Sequence, residues 1–172
     1  CDPHAQVRCV VGFDGTCCPD GFACGIDQAC HAPSGVLAAS EITMPVDLTG
    51  FSVVYRAAAS INESVVVGLT KTIAANGWLL LTASAYSNGG TPDQTYGTGK
   101  LAAAGGSVGI RDDHAVLLDS VGYGTATNAL VEGAAAPVPA DGQSIARIPN
   151  GVDTNRNNLD FAPATPTPRA IN

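Results

Sequence analysis

The sequence predicts an all-β domain preceded by a small disulfide-rich unit. Six cysteines fall within the first 30 residues, and short apolar segments recur at even spacing after residue 35. Gly, Pro, Asn and Asp separate these segments. Short, evenly spaced strands with turn-forming residues between them are typical of a β-sandwich or barrel. With 172 residues, the chain can hold one ordinary domain, or a small unit beside a medium-sized one.

The composition limits the kinds of partner that the protein can bind. Hydrophobic residues make up 45% of the chain and charged residues only 13%, so small uncharged residues must cover the surface. Such a surface is expected in a protein that is present at high dilution or that buries this surface against a partner. The net charge of −7, from 15 acidic and 8 basic residues, argues against nucleic acid, which requires clustered Lys and Arg. No apolar run approaches the roughly 20 residues of a membrane span.

The dense cysteine set predicts disulfides formed in an oxidising compartment, and therefore a secreted or cell-surface protein. Zinc is a competing interpretation, but the spacing lacks a CxxC pair with a second CxxC or a downstream His pair. A further alternative concerns the first residue, because a chain that begins with Cys rather than Met can be a lipid-anchored bacterial lipoprotein. That would leave five cysteines, an odd number. The set consists of Cys1, Cys9, Cys17, Cys18, Cys24 and Cys30.

Residues 1–31 are predicted to form the disulfide-rich unit, since about 30 residues cannot bury enough apolar surface to fold unaided. Their order, C…C…CC…C…C, resembles inhibitor cystine knots and related knottin-like modules. The resemblance implies the pairs Cys1–Cys18, Cys9–Cys24 and Cys17–Cys30, whereas the sequence alone leaves all pairings of six cysteines open. Toxins and protease inhibitors occur in that family, but the cysteine order by itself predicts only a stapled N-terminal cap.

A linker is predicted at 32–35 and the β-domain at 36–161. The run Trp78-Leu79-Leu80-Leu81 is apolar throughout, which predicts a central strand buried on both faces, with Trp78 in the core. Phe51, Val53 and Tyr55 alternate as in a half-buried strand. The predicted strands are Val36–Thr43, Phe51–Ala57, Ser64–Leu69, Trp78–Ser84, Gly97–Ala102, Ser107–Arg111, Ala115–Gly122 and Ser144–Ile148.

Three segments carry a family resemblance: VDLTGFSV at 46–53, IAANGWLLLTAS at 73–84, and the closing block from DSVGYG at 119 through GQSIARIPNGVDTNRNNLDF. They resemble the lamin tail domain in its bacterial extracellular form, over roughly Val46 to the C-terminus. The resemblance implies an immunoglobulin-like β-sandwich. Members normally open with strands reading like INEV and WVEL or YVEL, and here Val36–Thr43 occupies that place. If it does not fill the place, an open edge remains that can accept another chain's strand.

The sequence predicts no enzyme. His114 follows Asp112 and Asp113 at a predicted turn, and no Gly-x-Ser-x-Gly elbow accompanies them. No phosphate loop or dinucleotide fingerprint is present. We therefore expect a non-catalytic protein.

Asp153, Asn155, Asn157 and Asp160 form the strongest candidate ligand site. Their spacing resembles the first half of a calcium loop, although the glycine and the terminal Glu of an EF-hand are missing. The alternative, which we favour, is that these side chains hydrogen-bond to nearby backbone in consecutive Asx turns. Calcium is thus a minor possibility, and no other cofactor is predicted.

Residues 162–172 are predicted to form an extended Pro/Thr tail. We expect a secreted structural protein that assembles with copies of itself into a filament, sheath or matrix, by exchange of a strand or this tail. The residues expected in assembly are Val36 and Ile42 in the first strand, and Pro163, Pro166, Pro168 and Ile171 in the tail. The alternative is a carbohydrate- or protein-binding accessory module of a larger exported protein, for which exposed loop aromatics such as Tyr86, Tyr96 and Trp78 would be the sign.

Overall fold

The computed structural model describes residues 23–24, 30–31, 44–86 and 90–172. Within these ranges the protein is built from short strands and one turn of helix, which confirms the all-β prediction. The strands are β1 Ala23–Cys24, β2 Cys30–His31, β3 Val46–Asp47, β4 Ser52–Ala57, β5 Ser64–Gly68, β6 Thr72–Ile73, β7 Leu81–Ala83, β8 Gln94–Tyr96, β9 Gly105–Arg111, β10 Leu117–Gly124, β11 Ser144–Arg147 and β12 Phe161–Ala164, and the helix α1 is Asn157–Asp160.

A four-stranded antiparallel sheet in the order β10-β9-β4-β5 forms the centre of the molecule. The sequence predicted all four strands to within a few residues. A tight turn joins β9 to β10, and in it the Asp112 carboxylate accepts hydrogen bonds from the backbone N–H groups of His114 (3.0 Å) and Val116 (2.7 Å). Asp112 is therefore a turn-forming residue.

Glycines in β9 allow a large ring to lie flat on the sheet. A Cβ at Gly106 would overlap the ring of Tyr55, which is buried with 7% of its surface exposed. The Tyr55 hydroxyl donates to the Gly105 carbonyl (3.3 Å) and accepts from the Ala102 N–H (3.2 Å). The ring thereby holds the segment before β9 against the sheet.

The register separates the two faces of this sheet. Val53, Ile110 and Asp119 lie in one row, and Tyr55, Val108 and Val121 lie in a second row on the same face. We call Val53, Val108, Ile110 and Val121 the apolar face. Each of these four side chains remains partly exposed.

The opposite face is closed by the segment 125–136. Leu130 and Val54 are each 2% exposed. A Cβ at Gly122 would lie 2.5 Å from Val131 Cγ2, so glycine is what lets this segment approach β10. We call this side the sealed face. Val54 and Leu130 on this side, and Tyr55 on the other, belong to the buried core.

Three two-stranded pairs surround the central sheet: β3 with β6, β7 with β8, and β11 with β12. The β11–β12 pair is antiparallel and places Ile145 opposite Pro163. The β7–β8 pair is parallel. The sequence did not predict β3, β6, β8 or β12.

Two strand predictions are wrong. Trp78 is 46% exposed and β7 includes only Leu81–Ala83, so the leucine run is not a doubly buried strand. The cause is a pair of hydrogen bonds between Leu80 and Asp93. The Asp93 carboxylate accepts from Leu80 N (2.7 Å), and Leu80 O accepts from Asp93 N (2.9 Å). These bonds hold the residues just before Leu80 in a loop. The predicted strand Gly97–Ala102 is also a loop, and β8 ends before it.

The N-terminal predictions fall mostly outside the described residues. These comprise Cys1, Cys9, Cys17, Cys18, the linker 32–35 and the strand Val36–Thr43. Within the described ranges, β1 and β2 are antiparallel with Cys24 opposite Cys30. The cysteine pairing stays a prediction. No helix among the described residues has the length and hydrophobicity to cross a membrane.

Candidate functional site

The predicted Asp/Asn site is a structural element that closes the sealed face. Asn157 is fully buried, and its Oδ1 accepts from the N–H groups of Gly122 (2.7 Å) and Glu132 (3.0 Å). Its Nδ2 donates to Ser120 O (3.0 Å) and to Glu132 Oε2 (2.8 Å). One amide thus joins α1, β10 and the segment 125–136.

Asp160 stabilises the loop that leads into α1. Its carboxylate accepts from the Thr154 N–H (2.9 Å), the Thr154 hydroxyl (2.6 Å) and the Arg156 N–H (3.1 Å). Burial acts to raise the pKa of Asp160, but these hydrogen bonds outweigh it and hold the pKa below its usual value. Asp160 is therefore a charged acceptor that orders residues 154–156.

The remaining two residues of the predicted calcium site are also accounted for. Asp153 Oδ1 accepts from the Asn155 N–H (2.9 Å) and lies 3.0 Å from Arg147 Nη1. Asn155 itself has a left-handed backbone with φ 55°. Asp153 therefore forms an Asx turn with Asn155, whereas Asn157 and Asp160 bond to other partners within the chain. The calcium interpretation stays a prediction.

Arg147 lies at the border of the apolar face, with 14% of its side chain exposed. It contacts Asp119 (2.8 Å) and Asp153 (3.0 Å), and its guanidinium carbon lies 4.5 Å from the centre of the Phe161 ring. Burial raises the pKa of Asp119, with Arg147 opposing this and Asp153 adding to it. Two carboxylates that share one guanidinium form a structural ion-pair network.

A groove lies between the apolar face and the β11–β12 pair. A cavity of about 160 Å³ is bounded by the apolar face, Asp119, Arg147 and Phe161. A second cavity of about 490 Å³ shares Val108 and Val121 with the first. We call the two together the apolar groove. The larger cavity is lined by Leu101, Ala102, Ala103, Val108, Val121, Tyr123, Pro139 and Ile145.

Tyr123 supplies a hydroxyl at the wall of the larger cavity, and it donates to the Ala102 carbonyl at 2.5 Å. Burial, together with the neighbouring Tyr55 and Tyr96, raises the pKa of Tyr123 to about 12. The hydroxyl is therefore neutral in ordinary buffers, and the groove is lined almost entirely by apolar groups. Apolar concavities of several hundred Å³ are typical of binding sites.

The sequence did not predict this groove, although part of its signal was present. Val108 and Ile110 lie on either side of Gly109 and so share one face of the sheet. On the neighbouring strand, Val53 and Val54 point to opposite faces. This alternation identifies a face but does not tell whether another layer covers it. Exposed aromatics lie elsewhere on the surface: Trp78 is 46% exposed and Tyr86 is 42% exposed.

The predicted tail divides into two parts. Pro163 belongs to β12 and pairs with Ile145 of the same chain, so the predicted boundary at 161/162 falls inside a strand. A proline is tolerated there because β12 pairs, within the described residues, with β11 alone. Pro166, Pro168 and Ile171 lie beyond the strand and are exposed. The other predicted assembly residues, Val36 and Ile42, lie outside the described residues.

The hairpin turn brings together the one further cluster of possible metal ligands in the described part of the chain. Ligand-type atoms of Asp112, Asp113 and His114 lie within 4.8 Å of one another. His114 is 80% exposed and contacts Asp113 at 2.8 Å. An exposed His–Asp pair beside a turn-forming Asp accounts for this geometry.

No protein-family model, curated protein or solved structure matches the chain. The resemblance to the lamin tail domain therefore remains a prediction.

Proposed function

We propose that this is a secreted, non-catalytic structural protein that associates with copies of itself at the cell surface or in an extracellular matrix. Its β-domain would be an immunoglobulin-like sandwich of lamin-tail type. The observation that carries the proposal is the apolar groove. Valine and isoleucine side chains on a central sheet remain partly exposed there, while the opposite face of the same sheet is closed.

Covering such a surface is favourable by about 25 cal/mol for each Å² of apolar area removed from water. The groove also has little free charge to oppose an apolar partner, since its charged residues, Asp119 and Arg147, bond to each other. Only 13% of the residues are charged, so small uncharged side chains cover much of the remaining surface. These properties favour association of like subunits.

Secretion is proposed from the six N-terminal cysteines, which suit an oxidising compartment. The catalytic alternative has no support in the groove, because Asp119 is paired with Arg147 and Tyr123 is a neutral hydroxyl bound to a backbone carbonyl.

Sedimentation velocity over a wide concentration range, followed by negative-stain imaging, tests this proposal on the oxidised full chain. We expect the mean mass to rise with concentration and ordered assemblies to appear in the images. A single species with the mass of one chain at the highest concentrations would contradict self-association.

A second candidate function is carbohydrate or ligand binding, which the exposure of Trp78 and Tyr86 favours. Exposed aromatic rings offer flat apolar surfaces with a polar edge, which suit sugar rings. Titration of oligosaccharides by isothermal titration calorimetry tests it, with Trp78→Ala as the variant that should lose binding. No heat of binding with any glycan class would remove this candidate.

A further inference from the structure

Residues 165–172 form a small folded turn that follows β12, which we call the hook. The Ala170 N–H donates to the Thr167 carbonyl (3.1 Å), and the Thr167 hydroxyl bonds to the Asn172 side chain (2.5 Å). Arg169 lies inside this turn with a left-handed backbone, φ 60°.

The guanidinium of Arg169 binds a site on the loop before β8. Its Nη2 donates to Asp93 Oδ2 (2.7 Å) and to the Thr91 carbonyl (2.9 Å). Asp93 does not depend on the hook for its position, because the same carboxylate accepts from Leu80 N (2.7 Å) and its own N–H donates to Leu80 O (2.9 Å). The loop is thus a preformed acceptor for a cation.

The charge of this acceptor is also secured without the hook. The backbone hydrogen bond from Leu80 is the largest influence on the pKa of Asp93 and holds it below its usual value, with Arg169 and Lys71 adding to that effect. The carboxylate is ionised at neutral pH whether or not the hook is bound.

The hook itself is held weakly. Arg169 and Asp93 keep 42% and 28% of their side-chain surface exposed, and an exposed ion pair contributes only about 0–1 kcal/mol. Ile171 is 68% exposed, so no apolar burial supports the contact. The hook can leave its own acceptor at small cost, which leaves the acceptor free for another hook.

The connection is long enough for such an exchange. The last residue of β12 is Ala164, and Arg169 follows it by five residues. Five extended residues span at most about 18 Å. The hook can therefore extend away from its own domain while β12 stays paired with β11.

We infer that Asp93 and the Thr91 carbonyl are the receptor for the C-terminal hook of a second copy of this chain, with Arg169 as the inserted group. The same contact closes on its own chain at low concentration and links neighbouring chains at high concentration. This inference rests on the proposed self-association and specifies its contact.

Cross-linking between isotopically distinct chains tests it. Arg169→Lys keeps the positive charge and supplies an amine. A carbodiimide couples this amine to the Asp93 carboxylate as an amide, and the carbodiimide takes up the water that is lost. Equal amounts of ¹⁴N- and ¹⁵N-labelled R169K protein are mixed, cross-linked and digested. At concentrations where sedimentation shows association, we expect peptides that join the introduced amine to Asp93 and carry one light and one heavy half. At high dilution, we expect same-label peptides.

Arg156→Lys is the control, because Arg156 is exposed and makes no contact with Asp93. Cross-links from Lys71 to Asp93, which the parent chain can also form, have a different peptide mass. Same-label peptides alone, from protein that sedimentation shows to be associated, would overturn hook exchange and leave the proposed function standing. No association at any concentration would instead contradict the proposed function itself.

A second measurement uses no lysine. An equimolar mixture of Asp93→Asn and Arg169→Gln chains should associate at least about three-fold more tightly than either variant alone, because neither variant can close the contact on itself and only the mixture offers it between chains. A mixture that associates no more tightly than the separate variants would also overturn the inference.

Discussion

The two faces of the central sheet are closed by different means. On the sealed face, Asn157 and Asn128 hold a loop against the strands. Every polar atom of their two side-chain amides has a partner within the chain. For Asn128, Nδ2 donates to Ala58 O (3.0 Å) and Oδ1 accepts from Leu130 N (3.0 Å). On the apolar face, valine and isoleucine side chains face a groove. The hydrogen bonds of these two amides are complete, whereas apolar surface continues to gain from further burial. The difference predicts that stability is concentrated on one face and association on the other.

The largest effect expected on the sealed face comes from Asn157→Ala. The change removes four hydrogen bonds and leaves the buried N–H of Gly122 and the carbonyl of Ser120 without that partner. An unsatisfied buried group costs about 1–3 kcal/mol, so we expect the free energy of unfolding to fall by about 3 kcal/mol or more. Urea unfolding followed by circular dichroism measures this.

Asn158→Ala is the matched control, since Asn158 is the exposed neighbour in the same helix, and it should change stability by less than about 0.5 kcal/mol. Equal losses in the two variants would mean that the sealed face does not depend on the buried amide.

Asp160→Asn should have the next largest effect. The amide keeps the shape but loses the charge that accepts from Thr154 and Arg156, and we expect a loss of about 1–2 kcal/mol at pH 7. Because the folded pKa of Asp160 lies below its usual 3.8, its contribution is present above pH 3.8 and is lost as pH falls through the folded value. The difference between variant and parent should therefore shrink in acid.

Urea midpoints at pH 7 and in strong acid check this prediction, with Asp141→Asn as the control at an exposed carboxylate. A difference that stays constant down to the lowest pH would show that the charge of Asp160 does not stabilise the loop.

Features that depend on neighbouring residues were predictable from the sequence, and features that depend on distant residues were not. The strands of the central sheet were predictable because their own residues alternate, as in Val53 and Tyr55. The Asx turn of Asp153 was predictable because its partner, the Asn155 N–H, is only two residues away. The burial of Trp78 was predicted wrongly because an apolar run does not reveal whether a neighbouring strand exists, and here Asp93 fixes a loop instead. The partners of Asn157 in β10 are distant in sequence, so the sequence did not reveal them. Asn157 was therefore grouped with the candidate ligand residues.

On the apolar face, Leu101→Gln should weaken association without unfolding the chain. Leu101 is 41% exposed and lines the larger cavity. Losing its apolar contact with a partner should reduce the association constant by a factor of about ten, which corresponds to about 1.4 kcal/mol. Sedimentation velocity measures the association, and the urea midpoint confirms that folding is retained.

Leu118→Gln is the control, because Leu118 is 51% exposed and does not line the groove. If both leucine variants weaken association equally, general surface hydrophobicity rather than the groove causes it.

The smallest effect is expected where the two faces meet. Glu132 holds Asn157 on the sealed side, and burial raises the pKa of Glu132, followed by repulsion from Asp119 and Asp153. A raised acidic pKa means that the folded chain binds the proton more tightly, so stability falls as pH rises from the usual value of 4.5 through the folded value.

Glu132→Gln removes this loss and keeps an oxygen for Asn157. We expect the variant to be more stable than the parent at pH 7 by less than about 1 kcal/mol, and equal to it near pH 4, in paired urea titrations. If the variant is instead the less stable protein at pH 7, the charge of Glu132 strengthens its bond to Asn157 by more than burial and the repulsion from Asp119 and Asp153 weaken the fold.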